Sequence, residues 1–176
     1  MTGTMLRGIA AILLTLCSTP VLAEKLSFDH RLYPPLKEVF DSGRSDLIQF
    51  NNKNPSYVTD LIVVRGKSVR SWTEAMIIIA RSPGPLVRTA VQWKAELEGQ
   101  ALEECPSTFA TIAQDDISIT FERSSTSCRP GYPATAIYRI VQGQKSLFLL
   151  GVMSKDGITA DARRGWLALF ASARLD

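Results

Sequence analysis

The chain has a single histidine, His30, and three cysteines, Cys17, Cys105 and Cys128. This scarcity excludes several chemistries. A serine or cysteine nucleophile activated by imidazole would have to use His30, and the only orienting carboxylate near it is Asp29. One histidine and so few cysteines do not make a tetrahedral zinc set, so no metal site is expected. No G-x-S-x-G elbow occurs. Gly66-Lys67-Ser68 ends like a phosphate-binding loop, but the glycine which that pattern needs five positions earlier is Leu61. No cofactor is therefore expected. Charge is never concentrated: there is no basic block and no acidic tail, which argues against nucleic acid as a partner. Past the first 23 residues no apolar run approaches the roughly 20 needed to span a bilayer. Internal repeats and low-complexity tracts are also missing.

Met1–Ala23 has the layout of a secretory signal peptide. Arg7 precedes an apolar run from Ile9 to Leu16, and Val21-Leu22-Ala23 offers a small-x-small type of cleavage site with valine at its first position. Leu16 stands where a lipoprotein signal wants a small residue, so Cys17 is not read as a lipid anchor. Cleavage after Ala23 leaves 153 residues, enough for one domain with its own core. Only Arg7 is lost among the charged residues, leaving 19 basic side chains against 17 acidic. The expected location is the periplasm or beyond. The two cysteines that remain in that oxidising compartment, Cys105 and Cys128, are expected to form one disulfide, worth about 3 kcal/mol in the chain-entropy model.

The chain is expected to be organised around Tyr57–Ser82. Two apolar, β-branched runs, Leu61-Ile62-Val63-Val64 and Met76-Ile77-Ile78-Ile79, read as central strands buried on both faces. Arg65–Arg70 reads as a polar connector between them. Upstream, residues 24–45 read as an irregular N-terminal segment interrupted by Pro34-Pro35, with one short helical turn at Leu36–Phe40. Leu47–Phe50 reads as a first strand and Asn51–Pro55 as a turn. Downstream, Leu86, Ala90, Trp93, Leu97 and Ala101 recur at helical spacing. Strands follow at 117–122, 134–141 and 146–152, and a helix from Thr159 carries Trp166, Leu169, Phe170 and Ala173 inward. The expectation is an α+β domain over residues 46–176. It has an antiparallel sheet of about six strands, ordered as three strands, helix, three strands, helix.

Candidate binding residues lie on two loops that combine arginine with an aromatic: Arg65, Arg70, Trp72 and Glu74 on one, Arg129 and Tyr132 on the other. Trp72 is read either as a recognition anchor or as a plug of the core, and the two readings stay open. Trp93 and Trp166 sit on helical stripes and are expected in the core. Asp115-Asp116 is read as charges bounding a strand, because adjacent strand residues point to opposite faces, and Glu103-Glu104 as charges at a helix end.

Arg65-Gly66-Lys67-Ser68-Val69-Arg70-Ser71-Trp72-Thr73-Glu74-Ala75-Met76 resembles an element of short exported bacterial proteins of uncharacterised function. In those proteins a glycine leads through Trp-Thr-Glu into an apolar strand. Cys128, the stretch from Tyr138 to Phe148 and Trp166 match later features of that pattern, whereas Ala75 is an insertion and the second cysteine at the chain end is missing. The element order is also similar to the fold of the PsbP photosystem subunits and related envelope lipoproteins, which by analogy implies a non-catalytic accessory or binding module.

Three functions remain in play. The first is an exported, non-catalytic envelope protein that binds a partner protein or a small ligand. The second is a small periplasmic enzyme using polar loop residues such as Asp60, Glu74, Arg129 or Tyr132. The third is a periplasmic immunity or inhibitor protein.

Overall fold

The computed structural model describes residues 24–54 and 57–176, and for 52–54 the backbone alone. The expected signal peptide, Met1–Ala23, and the end of the turn expected at Asn51–Pro55 lie outside the described residues.

The domain is α+β, built on a seven-stranded antiparallel sheet with three α-helices. In chain order the elements are β1 (Leu26–Ser27), α1 (Pro34–Ser42), β2 (Ile48–Asn54), β3 (Tyr57–Ser68), β4 (Ser71–Arg81) and α2 (Ala90–Glu104). Then come β5 (Ser107–Gln114), β6 (Ser118–Ser125), β7 (Thr135–Gln142), β8 (Leu147–Ser154), α3 (Ala160–Ala171) and β9 (Arg174–Leu175). The sheet order is β2-β3-β4-β8-β7-β6-β5, and β1 pairs with β9 in a separate two-stranded ribbon. β8 is the middle strand, which explains why Leu147–Leu150 are all buried. β4 lies beside it, so the Met76–Ile79 run is central, as its composition predicts.

Register divides the two faces. Met76, Val152 and Ile137 stand side by side across β4, β8 and β7, and pack with Leu36 and Val39 of α1 and Trp166, Leu169 and Phe170 of α3. Three positions along the strands, an odd number and so on the other face, Ile79, Leu149, Ile140 and Ile119 align and pack with Ala90 and Trp93 of α2. Helices thus cover both faces of the sheet.

Several expectations need correction. A seventh strand, β5, occupies the sheet edge where the sequence shows only Phe109 and Ile112 as large apolar residues; an edge strand needs less apolar surface than a central one. The segment 24–45 is not irregular. Pro34 and Pro35 open α1 instead of stopping it, because the first helical positions need no N–H partner. Gly43, at φ 62°, ends that helix in the left-handed region. Tyr33 and Leu36 reach the core. β2 runs on through Asn51–Asn54, where the sequence reads as a turn. α2 begins at Ala90 with a capping box between Thr89 and Gln92, so Leu86 lies outside the helix and is 89% exposed. Finally, Arg65–Ser68 is strand, and the β3–β4 connection shrinks to Val69-Arg70.

Candidate functional site

Gly66 explains the local form of the β3–β4 hairpin. It has φ 142°, register shifts flank it, and a Cβ there would lie 2.5 Å from the Trp72 backbone. The glycine of the Gly-Lys-Ser triplet therefore serves close strand packing. Trp72 is half-buried against the α1/α3 core, and Lys155 Nζ lies 4.4 Å from its ring centroid. Arg70 is exposed at the hairpin tip.

Glu74 is not available to a partner. It is 4% exposed, and its Oε1 accepts from Tyr33 Oη at 2.9 Å and from Trp166 Nε1 at 2.8 Å. Arg65 Nε stands 3.4 Å from its other oxygen, with the Arg65 side chain half-exposed. Burial beside the Glu74 carboxylate pushes the Tyr33 hydroxyl well above its ordinary value of 10.0. The carboxylate fastens the start of α1 and the middle of α3 to β4 (a core function), which corrects the expectation of a binding role. Sequence pattern alone showed Glu74 as an alternating polar residue and gave no sign of its two donors.

Arg129 and Tyr132 lie in the loop between β6 and β7, at the same end of the sheet as the β3–β4 hairpin. The ladder Ser124–Thr135–Ser154–Glu74 connects the two. They do not form one site. Glu74 lies on the α1/α3 face of the sheet and Trp72 packs there too, whereas Tyr132 lines a cavity on the α2 face. Asp60 shares the α1/α3 face, aligned with Ile78, so Asp60, Glu74, Arg129 and Tyr132 do not converge as an enzyme would require.

What the structure does assemble is a cavity of about 190 Å³ between α2 and the sheet. Its helical wall is Leu97, Gln100, Ala101 and Glu104; its floor is Phe109, Phe121, Arg123 and Tyr138; Tyr132 closes one side. Strand alternation puts Phe121 and Arg123 on the same face, and Tyr138 is Phe121's cross-strand partner, the rings 5.2 Å apart. Gly151 makes the room for this. A Cβ there would lie 2.8 Å from both Ile77 and the Tyr138 ring.

Arg123 is the residue that sequence reasoning missed. It is 3% exposed; Nη1 donates to Tyr132 Oη at 2.5 Å and Nη2 to the Pro133 carbonyl at 2.9 Å. Its guanidinium carbon lies 4.7 Å from the Tyr132 ring centroid. Its Nε is buried without a partner, and no carboxylate pairs with it among the described residues. Glu104, on the cavity rim, is committed to Arg129 at 2.8 Å. Burial pushes the Tyr138 hydroxyl up, against the pull of Arg123's charge. The signal that was legible is the alternation Ile119, Phe121, Arg123: an arginine on the apolar face of a strand.

The disulfide Cys105–Cys128 frames this cavity, with the Cα atoms 5.4 Å apart. It ties the end of α2 to the loop that carries Tyr132. Among the described residues no group of histidine, cysteine or carboxylate side chains is placed to hold a metal ion, and no helix is long and apolar enough to cross a membrane.

No protein-family model, curated protein or solved structure matches the chain. The resemblance therefore rests on the sequence features given for it, Arg65–Met76 with Cys128, Tyr138 to Phe148 and Trp166.

Proposed function

We propose that this chain is an exported, non-catalytic binding module that holds a small ligand in the cavity between α2 and the sheet. The observation that carries the reading is an aromatic-floored cavity with a buried arginine in that floor that has no counter-ion among the described residues. Pockets that recognise small molecules combine an apolar lining with a few polar groups that fix orientation, and Phe109, Phe121, Tyr132 and Tyr138 with Arg123 have that composition. Two features support export to the periplasm or beyond: the signal-like layout of Met1–Ala23, and a disulfide between the only cysteines that cleavage would leave. The dispersal of Asp60, Glu74, Arg129 and Tyr132 weighs against the enzyme reading that used them.

A fragment screen by ligand-observed NMR tests the cavity, run on the wild type and on Ala101→Trp, which fills it from α2. Fragments should bind the first protein and not the second. The same fragments binding both proteins equally would reject the cavity as the site. N-terminal sequencing of the exported protein should begin at Glu24; a membrane-retained chain starting at Met1 would reject the export reading.

A further inference from the structure

Arg123 has a buried charge that the protein leaves without a counter-ion. A guanidinium offers five N–H donors in a planar fork and is always charged in proteins. Here two neutral acceptors, Tyr132 Oη and the Pro133 carbonyl, take one N–H from each terminal nitrogen; Nε is buried away from the cavity space, and one N–H on each terminal nitrogen is left over. A buried cation costs free energy unless it is both paired and hydrogen-bonded. Resting on the cavity reading, we propose that the ligand is a small carboxylate with a single flat, apolar ring, whose anionic group meets Arg123.

Size and lining choose the rest of the molecule. A cavity of about 150 Å³ is known to hold one benzene ring, whereas drug-sized ligands need about 300–1,000 Å³. At about 190 Å³ this cavity takes one ring with a short polar substituent. Phe121 and Tyr138 supply the flat surface for the ring. The Tyr138 hydroxyl, which makes no hydrogen bond among the described residues, is a second donor for the anion. A carboxylate accepts from two such donors with its two oxygens, and charge-assisted bonds of this kind are roughly twice as strong as neutral ones.

The test is calorimetric titration of the full exported protein with benzoate, its neutral isostere benzamide, and acetate, with the Tyr132 and Tyr138 ring signals followed by NMR to locate binding. Benzoate is expected to bind about tenfold or more tightly than benzamide, to bind more tightly than acetate, and to shift both tyrosine signals. Arg123→Met should abolish the preference for benzoate over benzamide. Because these ligands are compared on the wild type, the outcome does not depend on how that variant folds. Benzamide binding as tightly as benzoate would overturn the anion assignment and leave the cavity reading standing. Acetate binding as tightly as benzoate would overturn the ring. Failure of benzoate and benzamide alike would overturn this inference. Failure of every fragment in the screen above would also remove the cavity reading beneath it.

Discussion

Replacing Glu74 by alanine should be among the most damaging single changes in the domain, and the cost follows from its partners. The carboxylate accepts two hydrogen bonds inside the core, from Tyr33 and Trp166. A hydrogen bond to a charged group contributes about 1.5–3 kcal/mol, and a buried donor left without a partner costs about 1–3 kcal/mol. Counting each donor once, Glu74→Ala should cost about 3–6 kcal/mol, a large part of the roughly 5–15 kcal/mol that holds a domain folded. The ion pair to Arg65 adds little. Its cation is half-exposed and 3.4 Å away, and exposed pairs are worth about 0–1 kcal/mol. Arg65→Ala should therefore fall within about 1 kcal/mol of the wild type, and Glu74→Gln, which keeps an acceptor, should lie between the two. Urea unfolding at neutral pH separates them. At a slope of about 2 kcal/mol/M, Glu74→Ala should lower the midpoint by about 1.5–3 M. A shift below about 0.5 M would refute the reasoning, as would an Arg65→Ala variant as unstable as Glu74→Ala.

Further predictions concern pH, the disulfide and the cavity floor. Tyr33 has a folded-state value raised above 10.0, so its contribution is complete below that pH and is lost as pH rises past it; Tyr33→Phe should be less stable than the wild type in urea at pH 7 and should lose less stability as pH rises past 10.0, because it lacks both the bond to Glu74 and the titration. Asp60 is raised by burial, against a hydrogen bond from the Asn51 backbone, and one of its oxygens is buried without a partner. Its protonated form is favoured by folding, so stability from this group is present below 3.8 and lost as pH rises through its folded value. Asp60→Asn should then raise the Tm at pH 7 and lose that advantage in acid. Removing the Cys105–Cys128 disulfide should cost about 3 kcal/mol in denaturant unfolding, and should weaken ligand binding because the loop carrying Tyr132 is released at one end. Gly151→Ala should displace the Tyr138 ring and weaken binding in the calorimeter.

Central strands were legible because burial on both faces demands unbroken apolar runs, and Met76–Ile79 and Leu147–Leu150 are such runs. α3 was legible from Thr159 onward, where the N-cap threonine and the inward Trp166, Leu169 and Phe170 agree. β5 was not, because an edge strand with one exposed face carries few apolar residues. α1 was misjudged because proline has opposite meanings at a helix start and in a helix interior. Around the cavity, the sequence pairs Tyr132 with its near neighbour Arg129, whereas the fold hydrogen-bonds it to Arg123. Arg129 is exposed and pairs with Glu104, while Arg123, inside a strand, holds the tyrosine. Which polar residues meet across a sheet depends on register and strand order, and neither can be read along one chain. The same ignorance made Glu74 look like a surface residue.

Glu74 and Arg123 are both charged and both almost wholly buried, yet the structure treats them oppositely, and the proposed ligand site rests on that contrast. Glu74 has two donors aimed at one oxygen and a cation near the other. Arg123 has two neutral acceptors, an idle Nε and no anion. A group kept for stability should be fully satisfied; one kept for recognition retains a valence that only the ligand fills, at a cost in stability to the empty protein. Arg123→Met should therefore behave unlike Glu74→Ala. The methionine keeps the apolar stem in place, the Tyr132 hydroxyl is left half-exposed at a loop, and the desolvation cost of an unpaired cation disappears. These effects oppose one another, and the net loss should not exceed about 1–2 kcal/mol. Benzoate at saturating concentration should raise the Tm of the wild type and leave that of Arg123→Met unmoved, since only a ligand that binds the native state shifts its unfolding. If Arg123→Met instead lost as much stability as Glu74→Ala, the guanidinium would be an anchor for the β6–β7 loop, and the assignment of Arg123 as the ligand's counter-charge would fall.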